Sequence, residues 1–172
     1  MTTKTKGPDK RRGKALAGRS AARLAAVQAL YQMDIAGTGI DSVLDEYETY
    51  RLGQEIDGEQ YAPADAAHFR AVVSGVVTDQ VAIDRTVNAI LADNWPLARI
   101  DSILRALLRA ATFELKGLPD IPSRVVINEY LDIAGAFFDA EEKSLANGVL
   151  DRAARQIRAG DATLAPDRET GD

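Results

Sequence analysis

The chain has 172 residues, 46% hydrophobic and 27% charged, enough for one compact domain or two closely packed halves around a real core. It has no apolar run of membrane-spanning length, no cysteine for a disulfide, metal site or nucleophile, and a polar, basic start unlike a secretory signal. The expected compartment is therefore the cytoplasm. The net charge of -5 divides into +7 over residues 1–24 and -12 over the rest, an acidic body with a basic arm suited to a polyanion.

Residues 1–17 lack hydrophobic periodicity and are expected to be disordered, so the arm is taken as 1–18. From Arg19 to Ala36 the residues Leu24, Val27, Leu30, Tyr31 and Ile35 recur at three- and four-residue steps, which predicts a helix with that stripe inward. Gly37 and Gly39 stop it, and Asp41 or Ser42 can cap a short helix carrying Val43, Leu44 and Tyr47. Residues 53–62 read as a loop. Pro63 suits the first turn of a long helical region to Ala92, with Phe69, Val72, Val73, Val76 and Val77 inward and a break near Asp79–Ile83.

Asn94-Trp95-Pro96 ends that region, because a proline disfavours helix in the residue before it. Arg99 to Lys116 presents one broad apolar face of Ile100, Ile103, Leu104, Leu107, Leu108, Ala111 and Leu115. After Gly117, Pro122 opens a helix so dense in Val125, Val126, Ile127, Tyr130, Leu131, Ile133, Ala134 and Phe137 that it is expected to be central. Asp139 and Glu142 form an acidic variant of a capping box before a last helix with Leu145, Val149, Leu150, Ala153, Ala154 and Ile157 inward. No segment alternates with period two, so the fold class is all-α. The helical domain is placed at 19–159, and an acidic tail, expected to be disordered, at 160–172.

Nothing in the chain argues for an enzyme, a metal or a cofactor. The single histidine, His68, has no ligand partner at metal spacing and is expected to be structural or on the surface. No glycine-rich loop is followed by Lys-Ser or Lys-Thr to hold phosphate. Asp101, Arg105 and Arg109 are spaced by four, so they read as an exposed ladder of ion pairs or a polar face for a partner. Asn128, Glu129, Asn147 and Gly148 interrupt helices and are expected to satisfy buried backbone or permit close helix approach. Arg19 and Arg23 stand at the expected start of the first helix, where cations oppose the helix dipole. Accepting that cost suggests that an anion is bound there, and helix amides with arginine forks suit phosphate.

The run Ala22-Arg23-Leu24-Ala25-Ala26-Val27-Gln28-Ala29-Leu30-Tyr31 resembles the opening helix of the NusB family of transcription antitermination factors. Leu104-Arg105-Ala106-Leu107-Leu108-Arg109 through Phe113-Glu114-Leu115 is similar to its fifth helix, Asp120-Ile121-Pro122 to Glu129 to the next helix entry, and Asn147-Gly148-Val149-Leu150-Asp151 to its last helix. The resemblance covers residues 19 to 158 and implies two packed helical subdomains, each roughly a three-helix bundle. It implies binding of the boxA element of ribosomal RNA leader transcripts together with NusE, a small-subunit ribosomal protein, in a complex with RNA polymerase. The RNA-contacting residues it implies are Arg19 and Arg23, with Lys10, Arg11, Arg12 and Lys14 of the arm before them.

Tyr31 and Asp101, with Arg105 beside them, fall on the side implied for NusE. Leu145 occupies the place where the family can present an aromatic residue to bases, and leucine cannot stack, so Phe137 or the arm is expected to contribute there. Two alternatives stay open: a helical module related to the N-terminal domain of ribosomal RNA cytosine methyltransferases, and a protein-interaction module only. Without a nucleotide-binding half or a cysteine, these residues are not expected to perform methyl transfer themselves. The partner set also leaves room for a homodimer.

Overall fold

In the computed structural model the described residues are 8–52, 64–91 and 95–160, without the side chains of 8–12, 14 and 15. They form six helices, α1 (Pro8–Ala36), α2 (Ile40–Glu46), α3 (Ala66–Ile90), α4 (Ser102–Gly117), α5 (Ser123–Phe137) and α6 (Ala140–Ile157), with no strand among them. None of these helices is long and apolar enough to cross a membrane.

Helix α1 starts at Pro8, well before the start at Arg19 that periodicity suggests. The reason is local. Pro8 fits the first helical position, Asp9 favours the positive helix end, and the Lys, Arg, Ala and Leu that follow are good helix formers. A stretch without a buried face carries no apolar stripe, so periodicity cannot detect it. Residues 8–18 of the expected arm are thus helical. Residues 1–7, 53–63, 92–94 and 161–172, which include the expected loop at 53–62 and most of the expected acidic tail, lie outside the described residues.

The buried face of α1 differs from the expected one. Ala22, Ala26, Val27, Ala29 and Leu30 are buried, whereas Leu24, Tyr31 and Ile35 are exposed. Helix α1 packs against α3, α4 and α5, and small side chains on those sides let the helix axes approach. The bulky stripe is left facing outward. Val77 and Val125, also expected inside, are exposed on α3 and α5.

Helix α5 begins after Pro122 without a side-chain cap, and the remaining helix starts follow their capping chemistry with two exceptions. Asp65 caps α3, accepting from the His68 amide at 2.9 Å, and Asp101 caps α4, accepting from Ile103 N at 2.8 Å and Leu104 N at 3.3 Å. Helix α2 instead begins after Gly39 with no side-chain cap, then widens into a π-type turn closed by Leu52 N on Tyr47 O. The second exception is α6, where Asp139 holds the cap position but makes no capping bond, so the acidic capping box does not form. The break expected in the long region lies at Asp79, non-helical at φ -111° and ψ 16°, where Lys116 reaches its carboxylate at 2.7 Å.

Helix α4 is the centre of the packing, in contact with α1, α3, α5 and α6. Its buried side chains join those of α1–α3 and of α5–α6 in one continuous core, so the two three-helix halves share a core. Tyr130 of α5 is fully buried within it, but the central place expected for α5 from its dense apolar run is held by α4. At the far end Arg158 donates to the carbonyls of Glu114, Leu115, Ile121 and Leu118, satisfying the last turn of α4 and fixing the entry to α5.

Candidate nucleic-acid and partner interfaces

Arg19 and Arg23 are four residues apart on α1 and have opposite environments. Arg19 is half exposed, with Asp65 as a loose partner at 3.9 Å. Arg23 is 2% exposed, and this corrects its assignment as an RNA contact. Its guanidinium faces the core, where Nε donates to Glu114 Oε2 at 3.0 Å and Nη2 to Glu114 Oε1 at 3.1 Å. The dipole argument for both residues also lapses, because α1 begins at Pro8 and both lie well inside the helix.

Glu114 is fully buried and collects three elements. Besides Arg23 of α1, His68 Nε2 of α3 lies 3.1 Å from Oε1, and the Tyr130 hydroxyl of α5 donates to Oε2. Around this centre Ser20 Oγ donates to Glu129 Oε2 at 2.8 Å, and Arg23 Nη1 lies 3.8 Å from Glu129 Oε1. His68 is therefore structural. Glu129, expected to interrupt its helix for a structural reason, ties α5 to α1. The signal that sequence reading missed is a lone acid on an apolar helix face: Glu114 follows Leu107 by seven residues and precedes Leu115.

Burial raises the Glu114 carboxyl, but the hydrogen bonds from His68, Arg23 and Tyr130, with the Arg23 charge, outweigh it and hold the group below its ordinary value. Burial pushes the Tyr130 hydroxyl well up, reinforced by the adjacent Glu114 charge. A lowered carboxyl contributes stability that is complete above about pH 4.3 and is lost as pH falls through the folded value. Urea midpoints should therefore decline below that pH, and Glu114→Gln should shallow the decline. An identical acid slope in the variant would remove Glu114 as its source.

The Asp101, Arg105, Arg109 ladder does not form. Asp101 spends its carboxylate on the α4 cap. Arg105 reaches across to Asp34 of α1, with Nε at 3.0 Å, and to the carbonyls of Leu97, Ala98 and Ile100. Arg109 forks onto Asp84 of α3 at 2.8 and 2.9 Å. Arg105, largely buried at 14% side-chain exposure, is thus an internal clamp. Asn147 and Gly148 are exposed, and a Cβ on Gly148 would meet nothing within 4 Å, so neither serves the close approach expected of it.

The remaining candidates divide between surfaces. Tyr31 and Ile35 line a shallow groove with Gln28, Gln32, Ala36, Tyr47 and Arg51 on the outward side of α1. Phe137 is exposed at the end of α5, its ring 6.5 Å from that of Phe138. Leu145 and Asp101 are brought together in a second groove, with Trp95. The side chains of Lys10, Arg11, Arg12 and Lys14 lie outside the described residues, although their backbone continues α1. Since α1 pairs Arg23 with Glu114 and Asp34 with Arg105, it runs antiparallel to α4. The Leu145 groove, at the start of α4, is then about 20 Å from Arg19 by helix rise.

A match to the model of the NusB family spans residues 20–155. The chain belongs to the NusB family. It is 60% identical over 140 residues to the transcription antitermination protein NusB of Allorhizobium ampelinum, covering 81% of this chain and 88% of that protein. A NusB of Bradyrhizobium sp. is 54% identical over 154 residues, covering 90% and 91% respectively. Among solved structures, T. maritima NusB is similar at a TM-score of 0.66 and 29% identity, over 80% of this chain and 91% of that one. A chain of the crystal structure of antitermination factors NusB and NusE in complex with dsRNA matches at a TM-score of 0.67 and 22% identity, over 80% and 96%, which bears on the NusB fold alone.

Proposed function

We propose that this protein is a transcription antitermination factor that binds boxA-type RNA of ribosomal leader transcripts together with NusE, in the cytoplasm, as part of a complex acting on RNA polymerase. The observation that carries this reading is membership of the NusB family across residues 20–155. The naming of relatives as transcription antitermination proteins, and the existence of a NusB–NusE–RNA complex, support it. The physical support is the charge distribution. Residues 1–24 carry +7, and α1 continues unbroken from Pro8, so Lys10 through Arg19 follow one helix outward from an acidic body.

Arg19 is the phosphate contact on the described surface, and Lys10, Arg11, Arg12 and Lys14 extend it. Arg23 acts behind that surface by locking α1 onto Glu114. Phe137 is the exposed ring for an apolar contact. Leu145, in the groove that Glu141 and Glu142 flank, offers a base an apolar contact without stacking. NusE takes the outward stripe of α1, with Tyr31 at its centre; self-association through the same stripe would compete, and added NusE should dissolve it in sedimentation.

The test is a titration of labelled boxA leader RNA at two salt concentrations, with and without NusE. Arg19→Ala should weaken binding and reduce the slope of log affinity against log salt by about 0.7, the value for one phosphate no longer neutralised. An Arg19→Ala protein with the parent slope and affinity would remove this residue from the RNA surface. No salt-dependent binding by the parent would remove the RNA reading itself.

A further inference from the structure

The basic segment of α1 and the acidic residues 161–172 both start from one end of the fold. Arg158, which caps the end of α6, donates to the carbonyls of Glu114 and Leu118 in the last turn of α4. Arg23 of α1 pairs with Glu114, so Arg19, one turn earlier on α1, stands level with the same end of α4. Gly160, at φ 84°, then turns the chain out of the direction of α6. Residue 161 therefore begins about 20 Å from Arg19, a distance of two helix spacings.

Helix α1 stands clear of the core at this end. The Gly18 carbonyl accepts from the Asp65 amide at 2.9 Å, which ties the helix to the cap of α3. Before that bond Gly13, Leu16 and Ala17 are exposed, and a Cβ on Gly13 would meet nothing within 4 Å. Arg19 has Asp65 as its ion-pair partner among the described residues, at a loose 3.9 Å. With +7 over residues 1–24, this stretch concentrates positive charge on a helix that the body does not neutralise. The sequence after Gly160 has the opposite sign: Asp161, Asp167, Glu169 and Asp172 stand against the single Arg168. Twelve residues can span about 40 Å, twice the distance to Arg19.

We propose that residues 161–172 dock on the basic face of α1 and compete there with RNA. The inference rests on the RNA reading for the identity of the competitor, and on charge and reach for the contact itself. Attachment to the same chain sets the local concentration of the acidic segment on the order of millimolar, so individually weak ion pairs suffice. The docked segment lowers the affinity of this face for every polyanion by the same factor. Only a strand with further contacts elsewhere on the protein then stays bound.

Two measurements on the full chain test this. The chain has no cysteine, so Thr170→Cys carries a spin label at one known place. Without RNA at low salt, the label should broaden the backbone amide signals of Gly13 to Arg19 more than those of α2. The broadening should disappear at about 0.5 M salt, where exposed charges are screened. It should also disappear when the four carboxylates are neutralised together, as Asp161→Asn, Asp167→Asn, Glu169→Gln and Asp172→Asn. Without the label, the same four substitutions should tighten binding of the leader RNA about threefold or more at low salt, and leave it unchanged at high salt.

Broadening that spares α1, or that survives neutralisation of the carboxylates, would overturn the docking. Tighter RNA binding without broadening would mean diffuse repulsion in place of a contact. Broadening with no gain in RNA affinity on neutralisation would overturn the competition. A parent chain that binds no RNA while its α1 amides are broadened would remove the RNA reading and leave the contact standing.

Discussion

Arg23→Met should lower the unfolding free energy by about 3–5 kcal/mol, the usual consequence of removing one partner of a buried ion pair. Methionine keeps the apolar stem but leaves the Glu114 carboxylate in the core with only His68 and the Tyr130 hydroxyl for company. For a chain of this size that corresponds to a fall in thermal midpoint of roughly 6–20 °C. Replacing the charge pair together, as Arg23→Met with Glu114→Leu, should recover a large part of the loss, because a buried pair is costly to break but cheap to exchange for apolar packing. Urea unfolding of the parent, the two single variants and the double variant measures this. A single variant within about 0.5 kcal/mol of the parent would refute the account of the buried pair.

The same result bears on how arginine variants are interpreted at the proposed RNA surface. Loss of RNA binding in an Arg23 variant would reflect the displacement of α1 from α4 as much as any direct effect on RNA. Arg19 is the position where affinity and stability separate, since its only ion-pair partner among the described residues is Asp65 at 3.9 Å. Exposed pairs of this kind contribute little to folding.

Gly75→Ala is expected to be the second large perturbation. A Cβ at Gly75 would lie 2.1 Å from the Phe113 ring, and one at Gly117 would lie 2.6 Å from the same ring. Phe113 of α4 is thus seated against bare backbone of α3 and of its own last turn. Even one methyl group forces the ring out of place, and overpacking of this type costs about 1–3 kcal/mol. Phe113→Leu should reduce that penalty by making room, so a double-mutant cycle should show coupling of about 0.5 kcal/mol or more. A neutral Gly75→Ala, or strict additivity with Phe113→Leu, would mean that the ring is not held there.

These two sites explain why α3 can carry a break and still pack along α4. Gly75 brings the helices together just before Asp79, and Lys116 pairs with Asp79 just after Phe113. Arg109 and Asp84 fasten the segment beyond the break. The clamp through Arg105, Asp34 and the carbonyls before α4 fixes the groove end, and the Glu114 centre lies toward the basic end. The two candidate surfaces therefore stand at opposite ends of one frame.

The all-α class, the main helices and several turn residues follow from the sequence by itself, because the 3.6-residue period and the chemistry of Pro, Gly and Asp act within a few residues. The break at Asp79 was legible in the same way, whereas the central place expected for α5 belongs to α4. What tertiary structure alone decided is which side of α1 is inside. Arg19 and Arg23 share a helix and a four-residue spacing, yet one faces solvent and the other Glu114, because α3, α4 and α5 enclose only part of the circumference.

That enclosure also reverses the weight of the apolar residues, burying Ala22, Ala26 and Ala29 while Leu24, Tyr31 and Ile35 stay exposed. It redirects Arg105 and Arg109 from their own helix to Asp34 and Asp84, more than twenty residues away in the chain. Periodicity records that a residue is polar or apolar and where it falls on its own helix. Whether a polar group is a contact or a core member depends on which distant charge stands opposite it, and only the packed helices determine that.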